Sequence, residues 1–232
     1  MTAPPDDCLA RNEWICGAYL SSRAEILGDA VLQHLRLTLV SVALGLLIAV
    51  PLAVAARRWR LAAGPVLGIT TVLYTIPSLA MFSLLLPLYG LSASLVVAGL
   101  VLYSLTLLVR NILAGLRAVP EDTRQAARGM GYGPVRLLLA VELPLALPAA
   151  MAGLRIATVS AVSLVTIGAI VGHGGLGNLI YSGMNTYFKA QVLTASVLCV
   201  IIAVVADLLL LALQRLLTPW TAATAPSRGR AR

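Results

Sequence analysis

Long apolar runs constrain what this chain can fold into more than any other feature of its sequence. A helix that crosses a membrane needs roughly 20 consecutive apolar residues, and five runs meet this length. They are residues 35–56, 65–89, 93–114, 145–171 and 192–213. Only 11% of the 232 residues are charged, whereas about a quarter are charged in a soluble domain. We therefore predict an all-α integral membrane protein with about five transmembrane helices, the second kinked at Pro77.

The basic residues predict how these helices are oriented. A net charge of +8 would suggest nucleic acid binding in a soluble protein, but here arginines fill short stretches between apolar runs, so we expect no nucleic acid partner. Because Arg and Lys concentrate in cytoplasmic loops, we expect three regions. They are an extracytoplasmic tail over 1–30, a transmembrane domain over 31–214 whose segment 118–144 is cytoplasmic, and a basic cytoplasmic tail over 215–232. The first 30 residues do not join a basic stretch to an apolar one, so we expect no cleaved signal peptide.

Segment 118–144 interrupts the apolar sequence with small, basic and glycine-rich residues. Pro120 and the two acids after it form a favourable helix start, which predicts a helix over 123–130. Glycines at 129, 131 and 133 would end that helix, because glycine readily adopts the left-handed conformation. Pro134 would start a second short helix that runs to Leu143-Pro144. The prediction is a helix-turn-helix on the inner membrane face, and the simpler alternative is a solvated loop.

The spacing within this segment resembles the EAA loop of permease subunits of binding-protein-dependent ABC importers. Gln125-Ala126-Ala127 is followed after three residues by Gly131, and after nine more by Val141-Glu142-Leu143-Pro144. The family pattern has Glu where this chain has Gln125, which keeps hydrogen bonding but removes a charge. Stretches such as LYTIPSLAMFSLLLPLYG and GGLGNLIYSGMN are similar to permeases for glycine betaine, carnitine or choline. This resemblance covers about residues 33 to 213.

The resemblance implies how the segment works and which proteins it meets. In that family it is a coupling helix that docks in a cleft on a separate ATPase. The residues so assigned are Gln125, Ala126, Ala127, Gly129, Gly131, Leu143 and Pro144. The implied partners are two ATPases, a second permease that is identical or paralogous, an extracytoplasmic substrate-binding protein, and the lipid of a bacterial cytoplasmic membrane. The chain has no G-x-x-x-x-G-K-[ST] motif, so we expect ATP and Mg²⁺ on the ATPase, and neither a cofactor nor enzymatic activity here.

Two charges inside the predicted spans are further candidates. Buried intramembrane charges are costly and mark functional sites with a partner. Arg155 and Asp207 both fall in the inner half of their runs, which makes an ion pair geometrically feasible. The alternative is that each side chain reaches separately to the membrane interface.

The predicted outer side carries a glycine-rich loop and two cysteines. Residues 172–177 formally fit G-x-G-x-x-G, but they follow an apolar run rather than a strand, so we reject nucleotide binding. The resemblance places Gly174, Gly175 and Gly177 at the outer mouth of the permease, and a plain turn is the alternative. A disulfide between Cys8 and Cys16 is expected if the tail lies in oxidising surroundings, with free thiols as the alternative. The two histidines lack neighbouring Cys or carboxylate clusters, so no metal site is expected.

Three rival functions remain at this point. The same architecture can import an amino acid or another small solute. An intramembrane enzyme would need a nucleophile beside a base, or metal ligands, and neither is evident. A secondary transporter would be longer than five spans and usually shows an inverted repeat. Small residues on the spans favour close helix contacts. They include Gly45, Ala49, Gly68, Ala98 and Gly99.

Overall fold

The computed structural model describes residues 8–220, and over that range every regular element is a helix. The helices are α1 (Gly17–Ser22), α2 (Ala24–Arg58), α3 (Arg60–Thr75), α4 (Ser78–Tyr89), α5 (Ala93–Ala118), α6 (Glu121–Gly129), α7 (Pro134–Leu137), α8 (Leu143–Val165), α9 (Leu176–Asn185) and α10 (Lys189–Leu217). A π turn (Leu138–Glu142) precedes α8, and a 3₁₀ turn (Thr166–Val171) follows it. Within the described range, α2, α5, the continuous stretch 134–171 and α10 are each long and apolar enough to cross a membrane.

The predicted second span consists of two helices rather than one kinked helix. α3 and α4 are bent by 102° relative to each other, and Pro77 lies at the break. A proline disfavours helical backbone in the residue before it, and Ile76 is accordingly extended with a ψ of 126°. The structure therefore corrects the expected kink to a full interruption of the helix.

Contacts with α5 show how this broken pair lies along the bundle. From α3 to α4 the chain passes along α5 from its end towards its beginning. Thr71 contacts Arg110 near the end of α5, and the ring of Phe82 in α4 packs on Gly99 near its beginning. Counted as one broken span, the pair brings the described chain to five crossings, as the apolar runs predict.

Several helices extend beyond the predicted spans. α2 has 35 residues, about 52 Å at 1.5 Å per residue, whereas the hydrocarbon core of a bilayer is about 30 Å thick. Residues 24–30, which we expected in the outer tail, therefore belong to this helix. The expected second short helix does not stop at Leu143-Pro144, because the chain continues from α7 into α8 without leaving the helical path. Most of the predicted tail over 215–232 lies outside the described residues.

α5 forms the centre of the bundle, between α2 and α8, and small residues allow the close approach. A Cβ atom at Gly115 would lie 2.7 Å from the carbonyl oxygen of Ala146 in α8. A Cβ atom at Gly45 in α2 would collide with the side chain of Ser104 in α5. Gly68 was expected to allow a close helix contact, but a Cβ atom added there would meet no neighbouring helix within 4 Å.

The two ends of the bundle differ in composition. One carries the ends of α2 and α5 together with α6 and α7, and we call it the arginine-rich end. Its arginines include Arg57, Arg58, Arg117, Arg124, Arg128 and Arg136. The opposite end is formed by residues 8–23, the α4–α5 turn and residues 172–188.

Candidate coupling site

The residues of the EAA-like pattern form α6, the turn after it and the start of α8. Glu121 and Asp122 occupy the first turn of α6, where acids stabilise the positive end of the helix dipole. The helix ends in a Schellman motif: the Gly131 N–H donates to the Arg128 carbonyl at 2.9 Å, and the Tyr132 N–H to the Ala127 carbonyl at 3.1 Å. Such a motif needs a left-handed residue after the helix, and Gly131 has φ +83°.

The other two glycines of this segment have different roles from the one expected. Gly129 lies within α6, and Gly133 has an ordinary φ of −69° before α7. Among these three glycines, the backbone conformation requires glycine only at position 131. A Cβ atom there would meet no other atom within 4 Å, so the constraint at this position is the dihedral angle rather than space.

One face of α6 is accessible and the other is buried in the chain. Gln125, Ala126 and Gly129 are exposed, and Met130 beside them is 69% exposed. Ala127 is only 2% exposed. The resemblance assigns both alanines to the docking segment, but only Ala126 can form its surface, because 100° of rotation per residue turns Ala127 inward.

The second half of the pattern joins the site to the membrane span. Leu143 packs against the core cluster of α2 and α5, and Pro144 sits in the first turn of α8. Proline has no N–H and its ring crowds the carbonyl four residues before it, so a regular α-helix is disrupted here. The π turn is consistent with this, since the Leu143 N–H bonds the Leu138 carbonyl, five residues back. π turns often mark functional sites.

A buried ion pair links these two halves, and the sequence alone did not reveal it. Arg124 in α6 is 6% exposed and Glu142 in the π turn is 7% exposed. Arg124 Nε donates to Glu142 Oε1 at 2.7 Å, and its Nη2 donates to the Leu116 carbonyl in α5 at 2.7 Å. One guanidinium therefore ties α6 to the end of α5 and to the beginning of the fourth span. The one available signal was a lone carboxylate inside the apolar stretch LLLAVELPL.

Further charges extend this pair into a network. Arg57 at the end of α2 donates to Glu142 Oε1 at 3.3 Å. At the exposed surface of α6, the Glu121 carboxylate accepts a hydrogen bond from Arg124 at 3.0 Å and one from Arg128 at 3.3 Å. The hydrogen bond from Arg124, together with the positive charge of Arg128, holds the pKa of the Glu121 carboxyl below its usual value. Through the carboxylates of Glu142 and Glu121, the network joins α2, α5 and α6 to the π turn.

Arg155 in α8 and Asp207 in α10 lie in direct contact. Two parallel hydrogen bonds of 2.8 Å join the guanidinium to the carboxylate, Nε to Oδ1 and Nη2 to Oδ2. The side chains are 26% and 33% exposed. Bidentate pairs of this kind have strong directional specificity, so this one sets the register between α8 and α10.

The glycine-rich loop at the opposite end is packed against the rest of the chain rather than exposed. Gly174, Gly175 and Gly177 are all buried. A Cβ atom at Gly175 would lie 2.8 Å from backbone atoms of His34 in α2, and one at Gly177 would collide with the backbone of Thr166. The loop therefore holds α9 against α2 and the end of the fourth span.

The N-terminal segment is fastened to the same end of the bundle. Cys8 and Cys16 form a disulfide. Between them, the Asn12 side chain donates to the Tyr187 carbonyl at 2.8 Å and accepts from the Lys189 N–H at 3.0 Å. The second contact satisfies one of the free N–H groups at the start of α10, so the disulfide-closed segment caps that helix.

The described residues contain no group of three or more His, Cys, Asp or Glu side chains that could hold a metal ion. His34 is fully buried, and its Nε2 lies 3.0 Å from the Val162 carbonyl oxygen.

Comparison with known proteins identifies relatives over most of the chain. Residues 41–223 match the family described as "Binding-protein-dependent transport system inner membrane component". The choline transport system permease protein OpuBB of Bacillus subtilis (strain 168) is 36% identical over 81% of this chain and 86% of that protein. The osmoprotectant import permease protein OsmW of Salmonella typhimurium (strain LT2) is 37% identical over 87% of this chain and 96% of that protein.

Solved structures share the same fold. An inward-facing MetNI methionine ABC transporter chain superposes with a TM-score of 0.75 at 23% identity, covering 85% of this chain and 98% of that chain. A chain of an amino acid ABC transporter crystallised with histidines gives a TM-score of 0.71 at 18% identity, covering 87% and 98%. At these identities the likeness concerns the fold. Together with the relatives, it shows that this chain belongs to the inner-membrane components of binding-protein-dependent transport systems, the multi-pass permease subunits of ABC importers, which are not themselves enzymes.

Proposed function

We propose that this permease moves a quaternary ammonium osmoprotectant such as choline, glycine betaine or carnitine into the cell. The observation that carries the proposal is its 34–37% identity, over more than four fifths of the chain, to permeases named for choline, for glycine betaine/carnitine/choline and for osmoprotectants. Import of an amino acid is the second candidate. It is not favoured, because the structural neighbours named for amino acids are only 23% and 18% identical and share the fold alone.

The proposed orientation has the N-terminus outside and the arginine-rich end in the cytoplasm. The arginine distribution supports it, because cytoplasmic loops are enriched in Arg and Lys. The disulfide of Cys8 with Cys16 supports it independently, because disulfides persist in oxidising compartments and not in the cytoplasm. Cysteine labelling tests it: a cysteine placed at the exposed position 125 should react only with reagents that enter the cytoplasm. Reaction from outside in intact cells would refute the orientation.

The proposed coupling element is the exposed face of α6, which includes Gln125 and Ala126. This face would dock on an ATPase subunit, which binds ATP and Mg²⁺. The buried pair of Arg124 with Glu142 supports this role, because it connects α6 to the fourth span by bonds of 2.7 Å rather than by a flexible linker. Movement of the ATPase would then be passed to α8 and, through Arg57, to α2. Two ATPases, two permease subunits and one substrate-binding protein complete the proposed assembly.

Reconstitution with the ATPase and the binding protein tests both parts of the proposal. The complex in vesicles should take up labelled choline or glycine betaine in the presence of ATP, and absence of uptake for every quaternary ammonium solute would refute the substrate class. Ala126→Glu places a large charge on the docking face and should abolish uptake and solute-stimulated ATP hydrolysis together.

The matched control is Gln125→Glu, which adds the same charge at the adjacent exposed position. It should be tolerated, because glutamate is the residue usual in the EAA pattern. If Ala126→Glu is as active as Gln125→Glu, this face of α6 is not the docking surface. The test is made at Ala126 because Ala127 is buried, and a glutamate there would disturb the fold of the segment instead.

A further inference from the structure

A strip of polar and aromatic side chains runs along α3 and α5 within the membrane-spanning part of the chain. We call Thr71, Tyr74, Tyr103 and Arg110 the α3–α5 strip. Arg110 Nη2 donates to Thr71 Oγ1 at 2.8 Å. Next to them, the rings of Tyr74 and Tyr103 meet edge to face, with centroids 6.0 Å apart. None of these residues belongs to the coupling site, and all four lie on contacting faces of the two helices.

Arg110 lies inside a membrane span, within the apolar run 93–114 and α5. It precedes the last residue of α5 by eight positions, about 12 Å at 1.5 Å per residue. Side chains on a helix tilt towards its N-terminus, which for α5 is away from the arginine-rich end. The bond to Thr71, which lies in the last third of α3 and so away from the arginine-rich end, agrees with that direction. The guanidinium therefore points deeper into the span and does not reach back to the nearer interface.

The guanidinium of Arg110 is accessible and lacks a carboxylate partner. The side chain is exposed, and the ion pairs among residues 8–220 do not include it. A charged side chain at this depth is costly against lipid, and such residues face a water-filled cavity or the bundle interior. One of its five N–H donors bonds Thr71, which leaves the others able to receive an anionic group.

The aromatic part of the strip is held rigidly beside the helix break. The Tyr103 hydroxyl donates to the Ile76 carbonyl, which the interruption at Pro77 frees from helical bonding. Tyr103 is 5% exposed, whereas Tyr74, packed against it, is 44% exposed. Tyr74 follows Thr71 by three residues, about 4.5 Å along the helix. A partly open aromatic ring and a guanidinium with unused N–H donors thus lie about one turn apart on one surface.

We propose that the α3–α5 strip is a contact site for the solute during its passage, with Arg110 receiving a carboxylate and Tyr74 a quaternary ammonium group. Tyrosine rings attract quaternary ammonium ions through the negative face of the ring, and arginine binds carboxylates with charge-assisted hydrogen bonds. Glycine betaine and carnitine carry both groups a few bonds apart. Choline carries a hydroxyl in place of the carboxylate, so it would use the aromatic part alone. The inference rests on the proposed function and makes Arg110 the residue that distinguishes zwitterionic from purely cationic solutes.

The test measures uptake of labelled glycine betaine and labelled choline by the complete importer in vesicles, with the same binding protein throughout. Arg110→Gln should lower the ratio of glycine betaine to choline uptake about ten-fold relative to wild type, the effect of one charge-assisted hydrogen bond. Tyr74→Leu should lower the uptake of both solutes, whereas Tyr74→Phe, which keeps the aromatic ring, should retain the uptake of both. Arg117→Gln, seven residues further along α5 at the arginine-rich end, should leave the ratio unchanged.

The outcomes separate this inference from the proposed function. An unchanged ratio in Arg110→Gln, or an equal loss of both solutes, would refute the role of Arg110 and indicate a structural residue. If Arg110→Gln folds poorly, Arg110→Lys provides the second readout. It keeps the charge, so glycine betaine uptake should exceed that of the Gln variant, and equality of the two variants counts against the inference. If the wild-type importer takes up neither solute, the proposed function itself is wrong.

Discussion

Neutralising Glu142 is the perturbation whose consequence follows most directly from the structure. Its carboxylate accepts from Arg124 at 2.7 Å and from Arg57 at 3.3 Å, and both Glu142 and Arg124 are almost fully buried. Glu142→Gln keeps the shape but leaves the buried guanidinium of Arg124 with only the solvent-exposed carboxylate of Glu121 as a charge partner. Breaking a buried pair in this way costs about 3 to 5 kcal/mol. We therefore expect the subunit to lose stability and α6 to lose its fixed position against α8.

Thermal unfolding of the purified complex in detergent measures this effect. For a chain of this size, 1 kcal/mol corresponds to about 2 to 4 °C, so the midpoint should fall by roughly 6 to 20 °C. Solute-stimulated ATP hydrolysis should fall as well, because the coupling segment would no longer move with the span. Replacing both partners by leucine should be less harmful than either single change, since a buried pair exchanged for apolar residues is often neutral.

Glu121→Gln is the matched control, because Glu121 bonds the same Arg124 at 3.0 Å but its side chain is 53% exposed. Loss of the Glu121 charge should shift the thermal unfolding midpoint little, since solvent screens exposed ion pairs. The lowered pKa of Glu121 gives its contact a pH dependence of known sign. Its contribution is complete above the ordinary carboxyl pKa and is lost as the pH falls through the lowered value. If Glu142→Gln is no more harmful than Glu121→Gln, the buried pair does not hold α6 and the argument fails.

Three further predictions follow from the same geometry. Gly131→Val should cost about 1 to 2 kcal/mol because φ is +83°, whereas Gly133→Val, at φ −69°, should cost less; equal thermal midpoints would contradict this. In a double-mutant cycle of Arg155→Ala and Asp207→Ala, the double variant should assemble better than the sum of the single losses predicts, and additive losses would reject the pair. Cys16→Ala opens the disulfide loop and should cost about 2 to 3 kcal/mol, with faster proteolysis of the N-terminal segment; an unchanged digestion pattern would count against its capping role.

The number and order of the spans could be predicted from sequence, because the free energy of placing a segment in the membrane depends on its own composition. The same holds for the start of α6 at Pro120 and its end at Gly131, since capping and left-handed turns depend on residues within a few positions. Capping residues and glycine turns are local properties, and the structure agrees with them. The assignment of the segment as a coupling element rests on its spacing and stays a prediction.

Only the tertiary structure decided which side chains meet. Nothing in the sequence distinguishes Ala126 from Ala127, yet the packing of α6 on its neighbours buries one and exposes the other. Arg124 and Glu142 are 18 residues apart, and they meet because α6 folds back against the π turn. Arg110 falls within the apolar run 93–114, but only the folded chain shows that it contacts Thr71 in α3. In each case the outcome depends on how helices distant in sequence pack together, which hydrophobicity and local propensity do not specify.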